Sequence, residues 1–399
     1  MRKIILLRPV KDGDSEELFC RRIFLRSKTK MIMNFAKQNI FVLLLLSVVT
    51  IGFKNKEITI PPGRSVAFDY LVIIKEIPPE AQELKVWLPL LTQNDYQIID
   101  EVIIEPQDSY TITTDKTYHN HILSYFFKSP QQSEIKINVR YKVKRYEYAK
   151  KPGLYFLQHR KLYDFLAARK FLSYAAKKIF RPEGGIFLKE SVAPEDLTRY
   201  SQPDRLVTLS PQIRELSAKI TRAQKTTLAK ARAIYDYVFA NVSYDKTISG
   251  WGRGDAQRVC LVKAGNCTDF HSLFIALARA SNIPAKFVIG VPLKEEKEGR
   301  IAGYHCWAEF YDEKLGWVPV DISEAWKDKA KRDYYFGSIT ENRLEFTQGR
   351  DIILEPAQNG EPLNYFVYPY VELNGQEFKN VEVNFSYKDQ LPDRIKDRG

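Results

Sequence analysis

The stretch that decides the fold runs Ala-Gly-Asn-Cys-Thr-Asp-Phe-His over residues 264–271. Apolar residues then recur at the spacing of one helix face, at Phe270, Leu273, Phe274 and Leu277. Gly-Asn is a turn pair and Asn266 is a good N-cap, so Cys267 is predicted in the first turn of this helix. Free backbone N–H groups and the helix dipole favour a thiolate there, and they could hold an oxyanion. A small buried core cysteine is the common alternative.

The second motif, Tyr-His-Cys-Trp-Ala-Glu-Phe-Tyr over residues 304–311, is rich in aromatic residues and predicts a β-strand. Alternation places His305, Trp307 and Glu309 on one face of that strand. A cysteine followed by a histidine and then an aspartate is the order of a nucleophile, its base and the group that orients the base. His305 is therefore the candidate base for Cys267.

A polar loop that ends in glycine, residues 312–316, separates this strand from a return strand that ends at Asp321. With this loop Tyr311 pairs with Trp317, and His305 and Asp321 become diagonal neighbours on one face. A loop shifted back by one residue would place the two directly opposite each other. Either odd-length loop predicts a His–Asp pair, whereas an even-length loop would separate them.

His271 is the rival base. The chain has only five histidines, and His271 lies one helical turn after Cys267, where it could touch the sulfur. The sequence places no carboxylate beside it. We therefore rank His271 behind His305.

Together the three motifs resemble the transglutaminase-like superfamily, whose members have papain-like cores. The resemblance covers roughly residues 205–335 and includes the family's first helix near 230–238. It implies an α+β fold, in which a helix carrying the cysteine packs on an antiparallel sheet. It also implies that Cys267, His305 and Asp321 act as nucleophile, base and orienting group.

The resemblance further implies an aromatic or polar oxyanion helper upstream of the cysteine. Trp251, in Gly-Trp-Gly-Arg-Gly, is the candidate, although a packed loop tryptophan is an equal alternative. Trp307 shares the predicted strand face of His305, so it is expected to line the cleft together with Trp251.

The rest of the chain divides into regions by composition. Short β-rich runs with turn residues between them predict a sandwich-like domain over residues 56–150. A helical linker region follows at 151–205, and the catalytic core covers 206–339. Residues 340–399 form a β-rich extension, with short strands expected at 351–354, 365–371 and 381–387, and these either extend a sheet or form a small cap.

Residues 1–53 are predicted to be a leader. Its uncharged segment, 40–52, follows a basic stretch and is shorter than the roughly 18 residues that span a bilayer. This pattern is typical of a secretory signal, so we expect a periplasmic, cell-surface or secreted protein. An uncleaved segment would instead anchor the chain to the membrane. Met31 and Met33 are plausible alternative starts.

The charge and the cysteine content limit the kinds of partner and cofactor that we expect for this protein. Half of the formal net charge of +12 lies in the leader, and the sequence shows no basic run with interleaved aromatic residues, so nucleic-acid binding is not expected. Cys260 and Cys306 form either a disulfide or two buried thiols. No cysteine or histidine cluster has metal-ligand spacing, so neither a metal nor a cofactor is predicted.

The resemblance thus implies a thiol-dependent acyl-transfer enzyme, either a cysteine protease or amidase or a transglutaminase. Its substrate would be a protein or peptide, with amide hydrolysis slightly favoured over crosslinking. The alternative is a cell-envelope binding or structural module that keeps the fold without turnover. The intact Cys-His-Asp set argues against that alternative.

Overall fold

The computed structural model describes residues 63–149 and 197–390. The predicted leader and most of the predicted helical linker lie outside these ranges. Within them, no helix has both the length and the hydropathy needed to cross a membrane.

The helices of the described residues cluster between residues 211 and 327. They are α1 (Pro211–Thr221), α2 (Thr227–Asn241), α3 (Ala256–Val262), α4 (Cys267–Ala280) and α5 (Ile322–Lys327). Short 3₁₀ turns occur at Arg199–Ser201 and Lys329–Lys331.

The strands fall into three groups along the chain. Before the helices lie β1 (Gly63–Ile74), β2 (Glu83–Pro89), β3 (Gln97–Glu105), β4 (Tyr110–Thr114), β5 (His121–Lys128), β6 (Ile135–Tyr146) and β7 (Tyr148–Ala149). Among and after them lie β8 (Ser243–Tyr244), β9 (Ala264–Gly265), β10 (Ala285–Pro292), β11 (Glu298–Ile301), β12 (His305–Asp312) and β13 (Gly316–Val320). The last group is β14 (Ser338–Ile339), β15 (Arg343–Gln348), β16 (Tyr370–Leu373), β17 (Gln376–Glu377) and β18 (Val381–Asp389).

Three larger sheets organise these strands. Two have five strands, in the orders β11-β18-β1-β6-β3 and β17-β16-β2-β5-β4, and the third has four, in the order β13-β12-β10-β15. The pairs within these sheets are antiparallel. Two small ribbons complete the set, β14-β7 and the parallel pair β8-β9.

The amino-terminal strands follow their hydrophobic alternation. In β1 every second side chain from Val66 to Ile74 is buried, and β6 alternates in the same way. The inward residues of both five-stranded sheets belong to one hydrophobic cluster, which also includes the helices. The β-rich amino-terminal region predicted from the sequence is therefore confirmed.

The carboxy-terminal strands join the same sheets. The last strand, β18, pairs with β1 on the side opposite β6, and β16 pairs with β2. Of the two roles left open for this region, the strands take the first and extend existing sheets. A strand expected at 351–354 does not form, since Ile352 makes only an isolated bridge with Leu363.

At the centre of the core lies α4, whose residues from Cys267 to Arg279 are all buried. It packs against β12 and β10 of the four-stranded sheet and against the other helices. Its start at Cys267 is as predicted. The α+β class, with a cysteine-bearing helix on an antiparallel sheet, is confirmed.

Candidate active site

The start of α4 is held by a reciprocal cap. The Asn266 side chain accepts a hydrogen bond from the Thr268 N–H at 2.9 Å, and Asp269 Oδ2 accepts from the Asn266 N–H at 2.9 Å. The same carboxylate also accepts from the N–H groups of Gly252 and Gly254, at 2.6 and 3.1 Å. These bonds fix both the helix start and the glycine loop at 250–254. Cys267 begins the helix, with 3% of its surface exposed.

The hairpin brings His305 and Asp321 together. Tyr311 pairs with Trp317, as the predicted loop requires. Asp321 follows β13 as the N-cap of α5, and its Oδ2 lies 2.6 Å from His305 Nε2. Its other oxygen accepts from the Ser323 hydroxyl at 3.0 Å. The predicted His–Asp contact is therefore present, and both carboxylate oxygens have partners.

Electrostatics favour an ion pair at neutral pH. A hydrogen bond with the Cys306 thiol, together with the hydrogen bond and charge of His305, outweighs burial and holds the pKa of Cys267 well below its ordinary value. Burial lowers the pKa of His305, but the Asp321 carboxylate reverses this and raises it to about 9. Both shifts favour the thiolate–imidazolium form of this Cys–His pair over the neutral form.

His271 does not occupy the position that a base for Cys267 would need. Its Nε2 accepts a hydrogen bond from the Ile322 N–H at 3.0 Å, so the ring proton lies on Nδ1, which faces the Cys267 carbonyl. Burial lowers the pKa of His271 and keeps it neutral. Asp321 Oδ1 lies 3.7 Å from Nε2, a neighbour that the sequence did not place. His271 thus connects α4 to α5, with both ring nitrogens engaged.

The two tryptophans expected at the cleft differ in exposure. Trp307 is fully buried and packs with Tyr148 of β7 and Ile339 of β14. The expectation that it lines the cleft is wrong, because these two strands cover its face of β12. Trp251 is 40% exposed on the glycine loop, with Lys246 Nζ 5.6 Å from its ring centroid. It stays a candidate for the cleft.

A cluster of tyrosines, missed in the sequence, lies beside the helix start. The Tyr304 hydroxyl is 3.0 Å from Thr268 Oγ1 and 3.3 Å from Asn266 Nδ2. Its ring centroid is 5.4 Å from that of Tyr365 and 6.2 Å from that of Tyr368. Tyr304 could have been noticed because it directly precedes His305. The other two lie some 60 positions later in the chain, with no local signal.

Tyr244 lies at the other side of the cysteine. It pairs with Gly265 across the β8-β9 ribbon, and its ring is 6.2 Å from Phe270. Burial raises the pKa of Tyr244, and the nearby Cys267 charge raises it further. Lys327 Nζ stands 4.5 Å from the ring centroid. An aromatic and basic rim therefore lies beside the sulfur.

Arg350 is a further residue of this region that the sequence did not indicate. It is fully buried, and its Nη1 donates to Ser272 Oγ on α4 at 2.7 Å. Its Nη2 donates to the carbonyls of Arg253 and Gly254, at 3.0 and 3.3 Å, and Nε donates to Asn364 at 2.8 Å. One guanidinium thus connects the glycine loop and the carboxy-terminal segment to the cysteine helix.

The other two cysteines of the described residues, Cys260 and Cys306, are free thiols. Cys260 is half-buried, and Cys306 is buried, with its Sγ 3.7 Å from Thr268 Oγ1. The pairing of Cys260 with Cys306, one of two alternatives left open, is absent from the structure. Over residues 63–149 and 197–390, no group of three or more His, Cys, Asp or Glu could hold a metal ion.

The part of the chain that carries this candidate site matches a known protein family. Residues 214–322 match the model of the transglutaminase-like superfamily. They form a transglutaminase-like domain. This segment contains the cysteine helix, the histidine strand and the aspartate described above.

Two relatives share parts of the sequence. An uncharacterized protein of Haemophilus influenzae is 31% identical over 220 residues, which are 47% of this chain and 60% of that protein. The uncharacterized protein YebA of Bacillus subtilis is 29% identical over 149 residues, which are 33% of this chain and 20% of that protein. The chain thus spans about 60% of the length of the first relative and about 20% of the second.

Two solved structures were found to be similar at low sequence identity. The crystal structure of a "Putative Cysteine Protease from Cytophaga hutchinsonii" is 13% identical with a TM-score of 0.50, and the match covers 82% of this chain and 98% of that one. The periplasmic domain of TgpA from Pseudomonas aeruginosa is 16% identical with a TM-score of 0.32, over 66% of this chain and 75% of that one. The first similarity supports the transglutaminase-like fold, and the second is too low to show a shared fold.

Proposed function

We propose that this protein is a thiol-dependent acyl-transfer enzyme that acts on peptide or amide carbonyls through an acyl-enzyme on Cys267. The observation that carries the proposal is the 2.6 Å contact of His305 with Asp321, beside a cysteine at a helix start. Nucleophilic catalysis by a thiol needs an activated sulfur, a proton carrier and a group that orients this carrier. These three residues would supply them.

In the first step the Cys267 thiolate attacks the substrate carbonyl, and negative charge moves to the carbonyl oxygen. The backbone N–H of Cys267, at the start of α4, would stabilise that charge. Trp251 and the Tyr304 hydroxyl, which lies against the same turn, are the candidate helpers. His305 then gives its proton to the leaving amine as the C–N bond breaks, which leaves a thioester on Cys267.

In the second step neutral His305 takes a proton from an incoming nucleophile, which attacks the thioester and releases the cysteine. Water gives hydrolysis, and a primary amine gives a new amide. In either case His305 returns to its protonated state, and Asp321 stabilises that state through the short contact with Nε2.

Hydrolysis is the better supported outcome, because the rim carries positive charge. Lys246 and Lys327 both stand over the Tyr244 ring, at 5.9 and 4.5 Å from its centroid. A lysine acceptor approaches as a cation, and like charges disfavour it. Lys327 also pairs with Glu324 at 2.7 Å, which weakens its share of the effect. We therefore rank peptide or amide hydrolysis slightly ahead of crosslinking.

The first test uses an acyl-electrophile probe. Wild type should become labelled at Cys267, the Cys267→Ala variant should lose the label, and the Cys260→Ala control should keep it. Labelling that persists without Cys267 would overturn the assignment of the nucleophile.

The second test separates the two outcomes. A glutamine-containing protein is offered with a labelled primary amine, and the products are followed by mass. Cleavage or deamidation ahead of amine incorporation is expected, and the reverse order would overturn the ranking. No product across several substrates, with a reduced Cys267, would favour the silent cell-envelope module.

We also propose that the chain is exported to the periplasm, the cell surface or the medium. The support is the basic stretch and short apolar segment of residues 1–53, which lie outside the described residues. A reporter active only outside the cytoplasm, fused after residue 53, should be active. The mass of the mature chain separates a cleaved leader from a retained membrane anchor. Reporter activity confined to the cytoplasm would contradict export.

A further inference from the structure

The carboxy-terminal strand β18 has a free edge over its first half. On one side it pairs with β1 along its whole length, from Val381 to Asp389. On the other side β11 reaches only residues 385–388. Within the described ranges, no strand pairs with residues 381–384 on that side. The backbone of β18 therefore has hydrogen-bonding groups there that another strand could use.

The alternation of hydrogen bonds identifies which backbone groups face this edge. The Lys75 N–H donates to the Asn380 carbonyl on the β1 side, and the Asp389 N–H donates to the Lys297 carbonyl on the β11 side. Since backbone groups alternate sides along a strand, odd-numbered residues of β18 point toward the β11 side. Val383 thus directs its N–H and C=O at the free edge, and neither group has a partner among the described residues.

A groove of about 360 Å³ lies along this edge. Val381 and Val383 form one wall, and Tyr368, Tyr370 and Phe378 contribute to the opposite wall. Tyr368 is 37% exposed, and the other four side chains are half-buried. A peptide strand that paired with Val383 would place every second side chain in this groove, and the lining favours apolar ones.

The groove reaches the candidate active site through Tyr368. Its ring centroid is 6.2 Å from that of Tyr304, whose hydroxyl lies 3.0 Å from Oγ1 of Thr268, the residue after Cys267. The chain leaves the line of β11 after Ile301, and a β-carbon at Gly303 would lie 3.9 Å from the Tyr368 hydroxyl. A strand that continued the line of β11 would therefore begin beside the residues that flank the nucleophile.

We propose that this groove is a substrate-binding site, in which an extended apolar stretch of the peptide substrate adds a strand to β18. The Val383 N–H and C=O would bind its backbone, and Tyr370 and Phe378 would contact its side chains. The proposal rests on the proposed acyl-transfer function, because it makes the occupant a substrate of Cys267. A second copy of this chain is the competing occupant, but a stable interface between two folded chains needs about 1,200 Å² or more, and this edge is short.

The experiment measures peptide binding to the Cys267→Ala chain, which lacks the nucleophile. The probe is a fluorescein-labelled hexapeptide, Lys-Thr-Val-Thr-Val-Lys, and its binding is followed by fluorescence anisotropy. The matched probe has the same sequence with both valines N-methylated, which removes backbone donors and keeps the side chains. Because backbone hydrogen bonds are lost, the N-methylated peptide should bind about tenfold more weakly.

Variants of the groove test the same contacts from the protein side. Val383→Pro removes the N–H that faces the free edge and no bond to β1, so it should weaken binding about fivefold or more. Val383→Thr keeps the N–H and the branched shape and should bind as before. Phe378→Ala should also weaken binding, whereas Phe126→Ala, which removes an exposed aromatic ring of β5, is the control and should not.

Three results would overturn the proposal: no binding of the unmodified peptide, equal binding of both peptides, or unchanged affinity in both Val383→Pro and Phe378→Ala. The comparison of the two peptides stands even if Val383→Pro does not fold. A dimer in sedimentation velocity that Val383→Pro abolishes would instead assign the edge to a second copy.

Turnover by wild type is assayed separately, so that the two proposals can fail independently. Peptide binding without turnover would refute the acyl-transfer function and leave the groove as a peptide-binding site. Turnover with the same KM in wild type, Val383→Pro and Phe378→Ala would refute the groove and leave the acyl-transfer function standing.

Discussion

A thiolate at Cys267 is costly to bury, because charge is poorly solvated away from water. In the proposed enzyme this cost would be offset by partners from several elements. His305 would supply a positive charge, the Cys267 N–H at the start of α4 would supply a donor, and Asp321 would keep the imidazole protonated. Each partner comes from a different element, so the reactivity of one sulfur reports on how these elements are packed.

The two histidines should respond differently to removal. His305→Ala removes the cation that pairs with the sulfur, so labelling of Cys267 at pH 7 should slow by about tenfold or more. His271→Ala removes a neutral connection between α4 and α5, so it should lower thermal stability and slow labelling much less. Peptide mapping after limiting iodoacetamide measures both. A larger effect of His271→Ala would identify His271 as the base.

The rate of acyl transfer should decline at alkaline pH. His305 must be protonated to serve the leaving amine, and its pKa is raised to about 9, so kcat/KM should fall as the pH rises through about 9. The same raised pKa favours the folded state below the ordinary value of about 6.5, and this contribution is lost as the pH rises through about 9.

The Asp321→Asn variant tests whether His305 sets this alkaline pH dependence. It removes the charge that raises the pKa of His305, so the alkaline limb of the pH–rate profile should move toward neutral pH. Ser323→Ala, which removes only a hydroxyl bonded to the other Asp321 oxygen, should move it less. An alkaline limb that stays in place in Asp321→Asn would show that His305 does not set it.

At the scale of single residues, local sequence patterns predicted much of the candidate site. Cys267 was placed by capping chemistry, and the contact of His305 with Asp321 followed from the parity of one hairpin loop. Arg350 and Tyr365 could not be placed in this way. Their importance comes from tertiary contacts with segments 60 or more positions away, and periodicity contains no information about those contacts.

Among the elements, the glycine loop at 250–254 is tightly constrained by its neighbours. Gly254 has φ +65°, and a β-carbon there would lie 2.7 Å from Thr268 Cγ2 and 2.8 Å from Arg350 Nη1. Gly316 has a similar φ of +71°, but a β-carbon there would meet nothing within 4 Å. A side chain at Gly254 would therefore cause both backbone strain and steric crowding, whereas a side chain at Gly316 would cause backbone strain alone.

Gly254→Ala should lower the free energy of unfolding by about 3 kcal/mol, from about 1 kcal/mol of strain and about 2 kcal/mol of overpacking. Gly316→Ala should cost only the strain, about 1 kcal/mol. Urea unfolding measures both, and the rate of Cys267 labelling should fall only in Gly254→Ala. Equal costs at the two sites would show that the loop is not packed tightly on α4.

A second feature of the elements is a layer of charge between sheets. Glu345 of β15, Glu309 of β12 and Arg145 of β6 are all buried, and Asn94 donates to Glu345 at 3.0 Å. Lys286 of β10 lies 3.5 Å from Glu309. Burial and the neighbouring Glu309 raise the pKa of Glu345 to about 7.

A raised carboxyl pKa opposes folding at high pH. Stability is lost as the pH rises from the ordinary carboxyl value through about 7, because the folded state must then accommodate a buried anion. Glu345→Gln removes this ionisation, so its melting temperature relative to wild type should increase between pH 5 and pH 8. The exposed Glu313→Gln is the control. A difference that does not vary with pH would exclude this titration.

Elements were predicted best where alternation is regular, as in β1 and β6. The segment 351–354 shows the limit of that approach. It is apolar enough for a strand, but its backbone finds only one bridge, between Ile352 and Leu363. Whether a short apolar run becomes a strand depends on the edge available to it, which is a property of the fold.

For the whole molecule, the sequence suggested consecutive blocks, with a β-rich region before the core and an extension after it. In the structure both ends share the two five-stranded sheets, and β11 from the core adds a further strand to one of them. Composition identifies strands but not their partners, because antiparallel pairing can join segments at any separation. The transglutaminase-like core is therefore flanked by sheets built from both sides of it.

The position of β18 has a consequence for how the chain is made. Arg64 of β1 pairs at 2.7 Å with Asp389 of β18, which lies 325 positions later and emerges from the ribosome correspondingly late. Until then one edge of β1 has exposed N–H and C=O groups, which can recruit strands of other chains. Contacts of such long range also slow folding. Biogenesis of this protein therefore requires that an open sheet edge be protected from aggregation until β18 has been synthesised.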